Sequence, residues 1–279
     1  MEPVDRSVPD RMQARASALS ALLRRLGLKS RQLGAVTSAV GGRDVCVRQV
    51  VLPPLTEAEL RRALPFEARK HLPLESLKEP CLDFQIVGDA PVAEGSEAPG
   101  KEVVLVAAPR AQRDEVLRIL DSVGIDPVAL GAEPLPTVNA VLDAYPLDTG
   151  NGARVVLDLG AESSVLAAVA PAGDLYVRAM EFTCEGPAER SPEDCARNLA
   201  FELEETFRFL SVRQRIRQVA RVHVCGGGAL VPGLKERIAA ILGVELVPVD
   251  PLVNIQILGD APPAEDRVRL VSAVGLAAW

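Results

Sequence analysis

Two aliphatic runs that end in glycine turns constrain this chain more than any other feature of it. Val155-Val156-Leu157-Asp158-Leu159 leads into Gly160-Ala161-Glu162-Ser163-Ser164, and Val222-His223-Val224-Cys225 leads into Gly226-Gly227-Gly228. Short unbroken aliphatic runs bounded by turn residues suit strands covered on both faces, as in α/β sheets. At the end of such a strand, a small-residue turn points backbone N–H groups at phosphate oxygens, and glycines let a flat purine and ribose lie on the backbone. A carboxylate there, Asp158, holds Mg²⁺ through water if a nucleotide binds. Each turn alone also has a plainer reading: a hairpin bonded by Asp158, and a tight strand-to-helix connection. Neither is a G-x-x-x-x-G-K-[ST] loop, which occurs nowhere in the chain.

The flanking pattern alternates strands and helices. An apolar stripe at Met12, Ala16, Leu19, Leu22, Leu23 and Leu26 predicts a helix closed at Gly27. Leu33–Val40 and Val45–Leu52 read as β-rich segments separated by Gly41-Gly42-Arg43-Asp44. Thr56 and Glu59 form a capping box for a helix towards His71, with Pro65 expected to kink it. Strands over Leu82–Val87 and Glu102–Ala108 flank a polar 88–100 loop, expected to be mobile. A helix over Arg110–Val123, a strand over Pro127–Gly131 and a helix from Pro134 to before Pro146 follow. Beyond a linker at 146–153 come strands Arg154–Leu159, Ser164–Val169 and Leu175–Met180. A helix capped at Ser191 then buries Cys195, Leu199, Leu203, Phe207 and Leu210. Strand Arg221–Cys225, a helix from Pro232 to Leu242, strand Val244–Val247 and a closing helix over Arg267–Trp279 complete the chain.

Charge and cysteine content narrow the partners. A formal net charge of −7 repels nucleic-acid backbones and anionic lipid. Five scattered cysteines without a C-x-x-C pair, and two isolated histidines, read as reduced core residues and not as a metal site. The first residues lack the apolar core of a signal peptide. No run reaches the roughly 18 apolar residues that cross a bilayer. Contact with a membrane is therefore expected through a partner.

In this order the two glycine turns carry a resemblance. VVLDLGAESSVLAAV is similar to the second phosphate loop of the type IV pilus assembly PilM family, ELEETFRFL to its long helix and VCGGGALVPGL to its adenosine loop. VELVPVDPLVNIQI and LVSAVGLAAW resemble its ending, and VVLPPLTEAELRRALPFEARKHLPLE, VVLVAAPRAQRDEVLRILDSVGIDPVAL and GAEPLPTVNAVL its inserted 1C subdomain and the return to the first lobe. The resemblance implies an actin-like (ribonuclease H-like) two-lobed α/β fold related to FtsA. It implies a first lobe over 1–145 with the insertion at about 45–108, a linker at 146–153 and a second, 2A-like lobe over 154–279. It also implies ATP with Mg²⁺ at Asp158, Gly160, Ala161, Glu162, Ser163, Ser164 and Gly226, Gly227, Gly228, and a cytoplasmic chain, peripheral at the inner membrane, that binds the N-terminal tail of a PilN-like membrane protein alongside other pilus or secretion platform subunits.

Two departures modify that expectation. The family's opening D-x-G phosphate loop with its downstream lysine is missing before Met12, and Phe182-Thr183-Cys184-Glu185-Gly186-Pro187 stands where a helical 2B insertion is expected. ATP binding is thus expected to be weak or absent, without turnover. The reading is a scaffold that docks an extended apolar peptide around Leu52, Leu55, Phe66 and Leu72, residues that singly also suit plain core. Two alternatives stay open: an active actin-like ATPase with its first strands upstream, and a cytoplasmic secretion domain like GspL.

Overall fold

The computed structural model describes residues 4, 10–92, 98–147, 152–183, 191–213, 216 and 219–278. The centre of the polar loop, the linker residues 148–151 and the 184–190 connection lie outside the described residues. The first helix, α1 (Arg11–Arg25), starts where the Asp10 carboxylate accepts the Gln13 N–H, at 3.1 Å. It lies on the surface: only Ala14 is buried, and Leu26, expected inside, is 57% exposed.

The next two β-rich segments part company. Strand β1 (Thr37–Val40) takes a parallel partner far along the chain, β5 (Ala129–Ala132), with Thr37 opposite Ala129. Strand β2 (Cys46–Leu52) instead joins an antiparallel sheet in the order β2-β4-β3, with β3 spanning Pro80–Asp89 and β4 Lys101–Pro109. The Gly41–Asp44 turn therefore passes the chain from one sheet to another.

Helix α2 (Glu57–His71) begins in the expected capping box, Thr56 N–H donating to Glu59 Oε2 at 2.8 Å, and continues through Pro65. Its Leu60, Leu64 and Ala68 bury against Val103, Leu105 and Ala107 of the sheet. Each leucine so covered contributes about 1.5–3 kcal/mol.

Five strands form the larger sheet, in the order β10-β9-β6-β7-β8. They are β6 (Arg154–Leu159), β7 (Ser164–Val169), β8 (Leu175–Met180), β9 (Arg221–Cys225) and β10 (Glu245–Pro248). The meander β6-β7-β8 is antiparallel, while β9 runs parallel to both β6 and β10. Strand alternation divides the side chains. Val155, Leu157 and Leu159 pack under α5 (Pro192–Arg213) and α6 (Leu234–Leu242). Val156, on the opposite face, packs with α4 (Pro134–Ala144) and α8 (Val271–Ala277).

The expected single closing helix is divided into α7 (Ala264–Arg267) and α8, and Trp279 lies outside the described residues. Helix α8 approaches α4 so closely that a Cβ on Gly275 would stand 1.8 Å from the Pro136 carbonyl oxygen. Thr137 and Ser272 share a 2.7 Å hydrogen bond beside that crossing. At the far edge of the large sheet, Leu175 N–H donates to Gln49 Oε1 of β2 at 2.7 Å, so a β2 side chain caps the edge of β8. Cys46, Cys81, Cys195 and Cys225 carry free thiols, and Cys184 lies outside the described residues. Among the described residues, no helix is long and apolar enough to cross a membrane.

Candidate functional site

The position of Asp158 follows from strand register. It sits beside Val165 of β7 and Cys225 of β9, on the same face as Val156, so its carboxyl emerges towards the start of α4. There Glu133 stands between the end of β5 and the proline that opens α4. Both acids enter one cleft of about 910 Å³, walled by the Gly41-Gly42 turn, the 160–163 loop, Gln112 of α3 (Arg110–Ser122) and Arg11 and Arg15 of α1.

Burial, with the charge of Glu133 added to it, pushes Asp158 up to about 7. A hydrogen bond with the Cys225 thiol acts in the opposite direction. Burial also raises Glu133, against the pull of Arg15, and drives the Cys225 thiol well above its ordinary range. Near neutrality, then, Asp158 is poised between its two protonation states. Such an acid can hold a hydrated cation or accept a proton from water.

Of the residues expected at the phosphate loop, Asp158, Gly160, Ala161, Glu162 and Ser163 line the cleft. Ser164 is fully buried and lies behind it. The triple glycine is adjacent but does not line the cleft. Gly226, at φ +80, backs onto Asp158 so tightly that a Cβ there would meet Oδ1 at 2.4 Å; Gly227 is exposed, and Gly228 is buried. The residues expected to meet a partner also separate. Leu52 and Leu72 are 4% and 5% exposed in the core beneath α2, Leu55 is half-buried at its margin, and Phe66 is 69% exposed. Sequence reasoning missed Glu133, Gly41 and the two arginines. An acid between a parallel strand's end and a proline-opened helix is the signal that could have found Glu133.

The cleft can be tested against a magnesium nucleotide. Asp158 would hold the metal through water and the 160–163 N–H groups would face phosphate, so part of the site fits. The cationic part does not: Arg15 and Arg11 are already drawn onto Glu162, and Arg15 also onto Glu115. Among the described residues, no group of three or more His, Cys, Asp or Glu side chains gathers to bind a metal by itself.

A model of the family described as type IV pilus assembly protein PilM matches residues 1–188. The chain belongs to the PilM family. A solved structure described as a PilM-PilN type IV pilus biogenesis complex is similar over 96% of this chain and 85% of that one, with 23% identity and a TM-score of 0.77. A Bacteroides thetaiotaomicron protein described as having an actin-like ATPase fold and unknown function is similar over 89% and 79%, with 10% identity and a TM-score of 0.51. The fold is thus actin-like α/β, shared with a PilM structure. No curated protein sequence matches the chain.

Proposed function

We propose that this PilM-family chain is a non-catalytic scaffold of a type IV pilus or related secretion assembly platform. In this reading it docks the extended, apolar tail of a PilN-like membrane protein and is held at the inner membrane through that partner. The observation that carries the reading is Phe66, 69% exposed on a helix whose other apolar side is fully packed. Phe is among the residues enriched at protein–protein contacts. Leu55 is half-buried at the margin of the core beneath α2, and Leu52 and Leu72 lie within that core, on the other side of the helix from Phe66.

The open edge of the three-stranded sheet, β3, is a weaker candidate. Arg61 of α2 pairs with Asp83 and covers the Phe84 ring there, and a bulge interrupts the ladder between Ile86 and Gly88. Charge and bulges are the devices that discourage strand addition. Phe66 lies about 140° around the helix from Arg61, so the proposed contact is on the face of α2 turned away from that edge.

Nucleotide in the cleft is proposed to be weak or absent, because its acids face one another and its arginines are taken. Titrating a PilN-like N-terminal peptide against the chain and its Phe66→Ala variant tests the scaffold reading. Binding weakened about tenfold or more by the substitution is expected; equal binding by both proteins, or none at high micromolar peptide, overturns it.

A further inference from the structure

Helix α1 is held by a half-buried apolar face that includes Met12, Leu19, Leu22 and Leu23, and by ion pairs from Arg11 and Arg15. Ala14 is its one buried residue. Arg11 Nη1 lies 2.9 Å from Glu162 Oε1, Arg15 Nη2 lies 3.0 Å from Glu162 Oε2, and Arg15 Nη1 lies 3.1 Å from Glu115 Oε1. Glu162 belongs to the loop between β6 and β7, whereas α1 packs on α3 across the cleft. Two guanidiniums one helical turn apart thus close on the two oxygens of a single carboxylate, and Arg11, Ala14 and Arg15 all line the cleft.

We propose that α1 is a strap across the cleft, fastened by Glu162, which opens by local release of that carboxylate while the rest of the fold stays intact. The proposal does not depend on the partner reading. Its energetics follow from exposure. The four side chains are 34–69% exposed, so each ion pair is weak and screened by salt. A helix of 15 residues is marginal by itself in water. Apolar side chains that are half-buried and not fully covered, combined with weak fastening, mark a segment that opens locally. Release widens access to Asp158 and the 160–163 loop, which line the cleft half-buried or, at Glu162, exposed.

Amide hydrogen exchange on the full chain tests this. At low salt, Glu162→Ala and Arg11→Ala/Arg15→Ala should each speed exchange in α1 about five- to tenfold, with the amides of β9 unchanged. The triple variant should be no faster than Arg11→Ala/Arg15→Ala, which already undoes the Glu162 fastening together with the Arg15–Glu115 pair. Raising NaCl to about 0.5 M should loosen α1 of the unaltered chain in the same way. Unchanged α1 exchange in Glu162→Ala, effects that multiply in the triple variant, or β9 amides quickened by the same factor would each overturn the strap.

Discussion

The charge of Glu133 joins burial in holding the Asp158 carboxyl at about 7, although the two acids come from elements 25 residues apart in sequence. Asp158 therefore binds its proton more tightly folded than unfolded, where its ordinary value is 3.8. In the window from about 4 to about 7 the folded state carries more protons, so stability falls as pH rises through it and stays reduced above. Asp158→Asn mimics the protonated acid and should remove that slope. The variant should be more stable than the parent at pH 8, by on the order of 2–4 kcal/mol, with little difference at pH 4. Urea midpoints at the two pH values check it.

His223 has the opposite sign. Burial, with the nearby positive charge of Arg154, lowers it from 6.5 to about 4, and its ring lies 5.0 Å from that of Tyr145. Its contribution is complete above about 6.5 and is lost as pH falls towards 4. The two residues therefore offset one another over much of the acid range. In the Asp158→Asn background, stability should drop between pH 6.5 and 4, and adding His223→Leu should flatten that drop.

Gly275 sets the spacing of α8 and α4. With the Pro136 carbonyl oxygen where a methyl group would go, Gly275→Ala must push the helices apart. A loss of about 1–3 kcal/mol is expected, seen as a fall in Tm of several degrees. An unchanged Tm would show that the crossing is looser than the geometry indicates.

The local chemistry of the fold was legible in the sequence, and its long-range pairing was not. Thr56 with Glu59 and Ser191 with Asp194 announce their helices because a cap is decided by residues three apart. The three strands of the β6-β7-β8 meander, with the bounds expected, follow from aliphatic runs cut by glycine and proline. Nothing local tells β1 to leave its neighbour β2 for β5, since a parallel partner needs a crossover and β5 lies about 90 residues on. The site was half legible for the same reason. Asp158 and its loop are contiguous, whereas Glu133, Gly41 and Arg15 arrive from other elements. The leucine stripe of α1 was visible, but periodicity reports a face and not what covers it.

Catalysis is the next point on which the account can fail. With Arg11 and Arg15 engaged by carboxylates, phosphate release from ATP with Mg²⁺ should stay at background. The Asp158→Ala variant should match the parent. Turnover that disappears in that variant would show a working enzyme.

The central claim is that an apolar peptide docks on the Phe66 flank of α2. Backbone amide shifts across the whole chain, followed while a PilN-like N-terminal peptide is titrated in, test it most directly. The account predicts saturable shifts around Leu55 and residues 62–70, weakened about tenfold or more in Phe66→Ala, with β6, β9 and the 160–163 loop unmoved. Shifts confined to the five-stranded sheet, or none at high micromolar peptide, would contradict it.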